Sequence, residues 1–219
     1  QSARRPMEVY SFLKEIGSTH LQFIPLVERV RPGQEVSEAT VVPADYGSFL
    51  CTIWDYWICR DVGSIFVQLF DVMLGVWLGR PASLCLFRET CGEAVALEHN
   101  GDLYSCDHFV TAEHRIGNLM EEGLLASVRS ARQQAFGKAK RDTLPQYCRR
   151  CEVRFACHGE CPKNRFMPTP DGEMGLNYLC AAYRQFFTHA NAGLRGMAWL
   201  VLHREPPAKI MEIMRQSAA

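Results

Sequence analysis

The apolar positions of the first 80 residues alternate between the spacing of a helix and that of a buried strand. In residues 6–16, apolar side chains recur from Val9 at i, i+3, i+4 and i+7, which predicts an amphipathic helix that ends at Gly17. Residues 20–28 form a short, continuous apolar run, which is typical of a buried strand. A helix followed directly by a buried strand predicts an αβ repeat of a parallel sheet.

The next segment is predicted to be a loop followed by a second helix. Residues 30–47 are rich in proline, glycine and charge, which favours a loop. Ser48 is a candidate N-cap for a helix that runs to about Gly63, and the broad apolar face of this helix predicts that it is well buried. Cys51 and Cys59 lie on this helix, and we interpret them as small buried side chains rather than ligands.

Beyond residue 85 the pattern changes to turns, cysteines and short elements. Residues 94–97 and 103–106 flank Asn100-Gly101, a dipeptide that strongly predicts a β-hairpin. Residues 119–136 have amphipathic spacing and are predicted to form a helix that stops at Gly137.

The last third of the chain is predicted to combine an irregular segment with two helices. Residues 141–175 show no regular apolar period, so they are expected to need an external link to become ordered. Residues 176–190 and 207–216 are predicted to be helical.

The composition predicts a globular protein without a general attraction to nucleic acid or to anionic membranes. Apolar residues make up 47% of the chain, and 24 basic residues balance 24 acidic ones. The longest apolar run, residues 65–78, is shorter than the roughly 18 residues that span a bilayer. No signal peptide is evident, so the expected location is the cytoplasm.

The cysteines carry the strongest chemical signal. Ten of 219 residues are cysteine, below the roughly 8–10% of disulfide scaffolds. Clustered cysteines without a secretory signal indicate metal or redox chemistry in a reducing compartment. The cysteines from residue 85 onward are Cys85, Cys91, Cys106, Cys148, Cys151, Cys157, Cys161 and Cys180.

The spacing of these eight thiols predicts two four-cysteine sites. The run from Cys148 to Cys161 reads C-x2-C-x5-C-x3-C, and such a run need not serve one site, because its last member can bind a neighbouring cluster. Zinc is the main alternative, but four-cysteine zinc sites usually pair two C-x2-C knuckles and only Cys148 and Cys151 form one. Disulfides conflict with the expected compartment, and a lone thioredoxin-type motif would leave six cysteines unexplained.

Four stretches resemble one family of enzymes. The cysteine pattern resembles the SPASM domain that follows the barrel of many radical S-adenosylmethionine (SAM) enzymes. Within that group, NGDLYSCDHFV at 100–110, CHGECPKNRF at 157–166 and GLNYLC at 175–180 are similar to the anaerobic sulfatase-maturating enzymes. HLQFIPLVER at 20–29 resembles their late barrel strand. The resemblance covers nearly the whole chain.

The resemblance implies an α/β fold in three parts. Residues 1–80 would be the last αβ units of a partial radical-SAM barrel. Residues 81–190 would be a SPASM domain, made of a β-hairpin and helices, that holds two iron–sulfur clusters. Residues 191–219 would be a C-terminal helical extension. On this view the chain is the C-terminal half of a longer enzyme.

The resemblance also implies the roles of particular residues. Asp107, in the motif CDH, would be the base that deprotonates the target side chain, whereas without the family context it is better explained as a cap of local amides. Gln22 would lie in the SAM-binding region. The auxiliary cluster nearer the active site would be held by Cys85, Cys91, Cys106 and Cys161. The more distant cluster would be held by Cys148, Cys151, Cys157 and Cys180.

The implied activity is the oxidation of a cysteine or serine of a client sulfatase to formylglycine. A 5′-deoxyadenosyl radical from SAM would remove a β-hydrogen, and the two auxiliary [4Fe–4S] clusters would accept the second electron. A third [4Fe–4S] cluster in the full-length enzyme would generate the radical. The implied partners are the sulfatase and a reductant such as flavodoxin or ferredoxin, and the protein is expected to be a monomer.

One feature of the family is missing from the printed sequence. The radical-generating cluster needs a C-x3-C-x2-C loop, and although Cys157 and Cys161 give C-x3-C, the next position of the triplet is Asn164. We therefore expect the chain to be inactive alone. Two alternatives remain at this point: a radical SAM/SPASM maturase that acts on another peptide client, and a non-catalytic iron–sulfur or zinc-binding module.

Overall fold

The structure is a computed structural model that describes residues 1–30 and 36–217. The α-helices are α1 (Pro6–Glu15), α2 (Pro43–Arg60), α3 (Gln68–Trp77), α4 (Leu124–Val128), α5 (Ala131–Asp142), α6 (Gln146–Arg149), α7 (Arg154–Cys157), α8 (Cys180–Leu202) and α9 (Ile210–Ser217). The strands are β1 (His20–Leu21), β2 (Phe66–Val67), β3 (Ala96–Leu97), β4 (Asp102–Tyr104), β5 (Arg115–Asn118), β6 (Met167–Pro168) and β7 (Met174–Leu176).

The chain divides into two compact units. Unit 1 contains Gln1–Ser83, Phe155–Cys157 and Tyr178–Ala219, and unit 2 contains Leu84–Arg154 and His158–Asn177. These bounds differ from the three predicted segments 1–80, 81–190 and 191–219, and α8 runs without a break through residue 190. The three segments therefore stay a prediction about domains.

Unit 1 contains the predicted parallel strand pair. Strand β1 pairs with β2 in parallel, with His20 opposite Phe66, which confirms the predicted αβ repeat. The strand is much shorter than the predicted 20–28. Pro25 has no N–H to donate to a ladder, and the carbonyl of Leu26 accepts from the N–H of Val41 instead. The rest of the apolar run is therefore held by loop contacts.

Helix α2 begins earlier than predicted. Its first residue is Pro43, which suits the first turn, and not Ser48. Residues 43–47 of the predicted loop are therefore helical, whereas residues 31–35 lie outside the described part of the chain. The predicted end near Gly63 agrees with the observed end at Arg60.

The core of unit 1 is an apolar contact between α2, α3 and α8. The ring centroids of Trp54 and Phe70 are 5.1 Å apart, and those of Phe70 and Phe186 are 5.3 Å apart. Gly193 allows the close approach of α2 and α8, because a Cβ there would lie 2.2 Å from Cδ1 of Ile58. Cys51 is buried in this core, as predicted, whereas Cys59 is half-buried.

Unit 2 contains the predicted hairpin together with a strand that the sequence did not reveal. Strands β3 and β4 are antiparallel around Asn100-Gly101, and Gly101 has the positive φ of +88° that this turn requires. Strand β5 pairs with the other edge of β4. The Arg115 guanidinium donates to the Asp102 carboxylate at 2.8 Å, which links β5 to β4 through side chains.

The predicted helix at 119–136 is wrong. The segment contains the short helix α4 and the start of α5, and the oxygen of Ser130 accepts from the N–H of Gln133 as the N-cap of α5. Gly137 does not stop α5 but lies inside it, where a Cβ would come within 2.2 Å of the Cys91 carbonyl oxygen. The glycine therefore serves a close approach and not a helix end.

The predictions for the last third of the chain give the right kind of structure but less accurate limits for each element. Residues 141–175 contain only the end of α5, the short helices α6 and α7, a 3₁₀ turn and the two-stranded pair β6–β7. Helix α8 is longer than the predicted 176–190, and α9 with the preceding turn Pro207–Lys209 confirms the helix at 207–216. Within the described residues, no helix combines the length and apolarity that crossing a bilayer requires.

Candidate metal centre

The four predicted ligands of the first set all belong to unit 2, where separate local elements position them. Cys85 begins a 3₁₀ turn, Cys91 follows it, Cys106 comes directly after β4 and Cys161 precedes the turn Pro162–Asn164. All ten cysteines of the chain lie within the described residues, and each is a free thiol.

The Sγ of Cys161 lies 3.9 Å from Nδ1 of His108, which brings Cys161 to the turn that follows Cys106. Burial raises the pKa of Cys91 and raises that of Cys161 to about 11, and in both cases the neighbouring Cys85 raises it further. Burial likewise raises the pKa of Cys106 to about 12, with contributions from Asp107 and from Cys161. Each thiol of the set therefore interacts with at least one other, which is what a shared metal centre requires.

The arrangement is wider than a site for one ion. In a tetrahedral zinc site the Zn–S bonds of about 2.3 Å place the sulfurs within about 4.6 Å of one another. Among residues 1–30 and 36–217, the single group of three ligand atoms within 4.8 Å is Cys106, Asp107 and His108, and no three cysteine sulfurs are that close. The donor set of four spread thiols fits a cluster of several iron atoms.

A buried lysine lies among these thiols. Lys140, near the end of α5, is only 1% exposed, and its ammonium donates to the carbonyls of Cys85 at 2.5 Å and Leu86 at 2.9 Å. Burial lowers the pKa of Lys140 to about 8 and the nearby Arg165 also lowers it, whereas Cys91, Cys161 and Cys85 act to raise it. The ammonium is thus held against the segment that begins at Cys85.

Helix α5 also fixes the backbone next to two other ligands. The Gln133 amide donates to the carbonyls of Gly92 at 2.7 Å and Ser105 at 3.0 Å, and these residues adjoin Cys91 and Cys106. The N–H of Cys91 donates to the carbonyl of Gly137 at 3.2 Å. One face of α5 therefore holds the segments of three predicted ligands.

The backbone before Cys161 turns through left-handed conformations. His158 and Glu160 have φ values of +46° and +54°, which non-glycine residues rarely adopt. Arg165 stabilises this turn, because its guanidinium donates to the carbonyls of both residues, at 2.7 and 3.0 Å. The Asn177 amide donates to the buried Glu160 carboxylate at 2.5 Å and to the Cys161 carbonyl at 3.3 Å.

Asp107 lies beside a predicted ligand and faces solvent. Its carboxylate accepts from the Cys106 thiol at 3.0 Å and lies 3.7 Å from Nδ1 of His108, and its side chain is 77% exposed. The hydrogen bond from Cys106 lowers the pKa of Asp107, and backbone amides of the turn act in the same direction. The carboxylate is therefore ionised and accessible, as a base must be, although it also accepts from local amides.

The second predicted set is divided between the two units. Cys148 and Cys151 belong to unit 2, where the N–H of Cys151 donates to the carbonyl of Cys148 at 3.2 Å and burial raises the pKa of Cys148. Cys157 ends α7, and Cys180 begins α8, both in unit 1. The assignment of these four thiols to one cluster stays a prediction.

Gln22, the residue predicted for the SAM region, lies in unit 1. It is exposed directly after β1 and lines a cavity of about 750 Å³ together with Phe23, Tyr46 and Phe49. The ion pair between Arg4 and Asp45, with Nε and Oδ2 2.6 Å apart, contributes to the same cavity. The cavity has room for a small-molecule ligand.

Sequence reasoning missed three polar residues around the cysteines: Lys140, Gln133 and Arg165. Arg165 lies within the stretch at 157–166, where the resemblance assigns it no role. On α5 the buried positions are themselves polar, so hydrophobic periodicity gives no signal for Gln133 or Lys140. A helix whose inward face carries glutamine, glycine and lysine is the one sign that could have indicated them.

Comparisons with known proteins identify relatives of this chain. Residues 85–152 match the SPASM family, described as an iron–sulfur cluster-binding domain. The chain is 40% identical over 231 residues to the serine-type anaerobic sulfatase-maturating enzyme of Bacteroides thetaiotaomicron, covering 99% of this chain and 56% of that enzyme. It is 27% identical to the cysteine-type enzyme of Clostridium perfringens, covering 86% of this chain and 51% of that enzyme.

A solved structure shares the fold. Native anSMEcpe with bound AdoMet and Cp18Cys peptide matches with a TM-score of 0.76 and 28% identity, covering 91% of this chain and 55% of that one. The chain is thus an α/β protein with an iron–sulfur cluster-binding domain of the SPASM type. Along nearly its whole length it is related to the anaerobic sulfatase-maturating enzymes, and it spans about half the length of the curated relatives it matches.

Proposed function

We propose that this chain is the part of an anaerobic sulfatase-maturating enzyme that holds two auxiliary [4Fe–4S] clusters and the base of the oxidation. The observation that carries the proposal is the set Cys85, Cys91, Cys106 and Cys161, whose thiols interact within unit 2 while Asp107 extends from the same turn into solvent. The relatedness to sulfatase-maturating enzymes adds the substrate class.

The proposed reaction oxidises a serine or cysteine of a client sulfatase to formylglycine. For serine, one hydrogen atom passes from the β-carbon to a 5′-deoxyadenosyl radical derived from S-adenosylmethionine, and one proton and one electron then leave. The clusters, when bound, supply the acceptor for that electron. A cysteine client would further consume one water molecule and release sulfide.

Asp107 would accept the proton. Its carboxylate is exposed and directly follows Cys106, so the proton and the electron would leave within one short segment of the chain. A positioned base contributes roughly 10²- to 10⁴-fold to the rate of a proton transfer. His108, with Nδ1 at 3.7 Å, would hold the carboxylate in place.

The second cluster and the SAM site complete the proposal. Cys148, Cys151, Cys157 and Cys180 would hold the second cluster, and Gln22 would belong to the SAM region through the cavity that it lines. The printed chain has no C-x3-C-x2-C loop, so a third cluster would come from the rest of the enzyme. We expect the chain alone to form no 5′-deoxyadenosine.

Two other functions compete with this proposal. A peptide maturase with a different client would use the same ligands, but the relatives at 40% and 27% identity are named for sulfatases. A non-catalytic zinc module is disfavoured by the wide spacing of the thiols in unit 2. The proposed partners are the client sulfatase and a reductant such as flavodoxin or ferredoxin.

The test begins with metal content. Anaerobic reconstitution of the chain should give about eight iron and eight sulfide per molecule, because eight ligands make two four-cysteine clusters. Two zinc ions without sulfide would contradict the proposal.

The role of Asp107 is tested in the enzyme extended by its radical-generating part. Asp107→Asn keeps the size of the side chain but removes the proton acceptor, so formylglycine should fall by roughly 10²- to 10⁴-fold while iron content and SAM cleavage persist. The matched control is Asp102→Asn, a carboxylate of the same hairpin that instead accepts from Arg115. Near-normal product from Asp107→Asn with full iron would remove Asp107 from the mechanism.

A further inference from the structure

The starting observation is a buried cation without a paired carboxylate. Lys140 is 1% exposed, and among the described residues no carboxylate oxygen lies within 4.0 Å of its ammonium. Two carbonyl oxygens accept its protons but carry no full charge. An isolated buried charge is costly, so a compensating anion is expected beside it.

The groups that can supply this anion are the predicted ligands. Lys140 holds the Cys85 carbonyl at 2.5 Å, and the Gly137 carbonyl of the same helix accepts from the N–H of Cys91 at 3.2 Å. The buried carboxyl of Glu160 also interacts with Lys140, but that group accepts from the amides of Asn164 and Asn177 and belongs to their network. The predicted ligands next to Lys140 are thus the groups that become anionic on ligation.

We propose that Lys140 raises the reduction potential of the cluster held by Cys85, Cys91, Cys106 and Cys161, through the positive charge that it buries against the Cys85 segment of this ligand set. The inference rests on the proposed function, since it requires that cluster. An iron–sulfur cluster with four thiolate ligands is an anion and becomes more negative on reduction, and its potential depends on nearby charge and on solvent exposure. A buried cation stabilises the reduced form more, because burial prevents screening by water and salt.

A purely structural role is the competing explanation. The ammonium holds the carbonyls of Cys85 and Leu86, so Lys140 could act only by shaping the loop. The two roles differ in their readout: a structural lysine affects how much cluster assembles, whereas a charge also affects the potential of the cluster that does assemble.

The experiment is a potentiometric titration of the reconstituted chain, followed by electron paramagnetic resonance. Lys140→Met should keep the length of the side chain and remove the charge. Cys106→Ala identifies the reduction wave of this cluster, because it should abolish that wave. In Lys140→Met the potential of the same wave should fall by at least about 59 mV for one electron, which is about a tenfold change in the reduction equilibrium constant. The other wave should stay in place.

The matched control is Lys138→Met, the same substitution on an exposed position of the same helix. Its potentials should equal those of the parent, since solvent screens the lost charge. Lys140→Arg keeps a permanent charge and should keep the parent potential wherever the cluster assembles.

Iron and sulfide content separates failure of the inference from failure of the proposed function. Full iron in Lys140→Met with an unchanged potential would overturn the role of the charge and leave the cluster intact. If Lys140→Met does not assemble, Lys140→Gln retains a donor for the carbonyls without charge, and its potential decides in the same way. If both neutral variants lose the cluster, Lys140 acts through assembly, and its proposed effect on the potential is rejected. Absence of iron from the parent chain would reject the proposed function itself.

Discussion

The two units of the chain bury different kinds of side chain. In unit 1 the interior consists of aromatic and aliphatic groups on α2, α3 and α8, and the buried polar residues of its described part are Thr40 and Asp61. The Oδ2 of Asp61 accepts from the hydroxyl of Tyr10 at 2.7 Å and from the ammonium of Lys14 at 2.6 Å. Unit 1 therefore has the interior of an ordinary globular domain.

Unit 2 has a polar interior and few apolar residues. Its buried polar residues within the described chain are Ser105, Asn118, Ser127, Gln133, Lys140, Glu160, Asn164, Thr169 and Asn177, and its buried apolar ones, apart from Cys148, are Phe87, Leu103, Leu144 and Val153. So few apolar groups supply little hydrophobic free energy against the entropy of ordering such a segment. The difference indicates that unit 1 is stabilised by apolar burial, and we expect the stability of unit 2 to depend on the proposed ligation.

Removal of iron should give the largest difference in stability between the two units. Anaerobic treatment of the reconstituted chain with a strong iron chelator should increase hydrogen exchange in α5 of unit 2 by several orders of magnitude, because ligation supplies much of its folding free energy. The amides in the middle of α2 should keep their protection. Cys151→Ala should likewise lower the iron content and loosen residues 141–175 while sparing α1. Equal loosening of α2 and α5 would contradict the comparison.

Truncation of a core side chain should have the opposite effect and destabilise unit 1. Phe70 is fully buried between Trp54 and Phe186, so Phe70→Ala should cost about 3–5 kcal/mol in the free energy of unfolding of unit 1. Phe12→Ala, at a side chain that is 58% exposed on α1, is the control and should cost little. Denaturation followed by tryptophan fluorescence measures both. A loss of iron without a change in unfolding would show that the core of unit 1 is not what stabilises it.

The same contrast explains what the sequence could reveal. In unit 1, apolar spacing predicted α1 and a parallel strand that begins at His20, because burial there follows hydrophobicity, whereas its partner β2 was not predicted. The limits were less accurate, since the start of α2 at Pro43 and the short β1 depend on backbone hydrogen bonds to neighbouring loops.

In unit 2, local chemistry predicted more than periodicity did. The Asn100-Gly101 turn and the cysteine spacing indicated the hairpin and the ligands, because both depend on residue type at fixed offsets. The amphipathic pattern at 119–136 failed, because α5 turns Gln133, Gly137 and Lys140 inward in place of apolar residues. Their partners are backbone carbonyls far away in sequence, which no short pattern can show.

An added methyl group should have opposite effects in the two units. Gly137→Ala would place a Cβ 2.2 Å from the Cys91 carbonyl, so it should destabilise unit 2 by about 1–3 kcal/mol and lower the iron content. Gly75→Ala, in α3 of unit 1, meets no atom within 4 Å and should stabilise that helix by about 0.5–1 kcal/mol. Iron analysis and thermal unfolding measure both. Full iron in Gly137→Ala would show that this close approach does not position Cys91.

The smallest expected effect comes from the N-cap of α5. The hydroxyl of Ser130 accepts from the N–H of Gln133 at 3.2 Å, and Ser130→Ala should cost about 1 kcal/mol of helix stability. Because the next turns of α5 carry the side chains that hold Gly92, Ser105 and Cys85, this small loss should also slow cluster reconstitution. Ser130→Asn keeps a capping oxygen and should behave like the parent in both respects. Hydrogen exchange of the first turn of α5 reports the cap, and the rate of iron uptake reports its consequence for the site. If Ser130→Ala frays the helix without slowing iron uptake, the ligand segments are held independently of α5, and the polar interior of unit 2 is not the scaffold of the cluster.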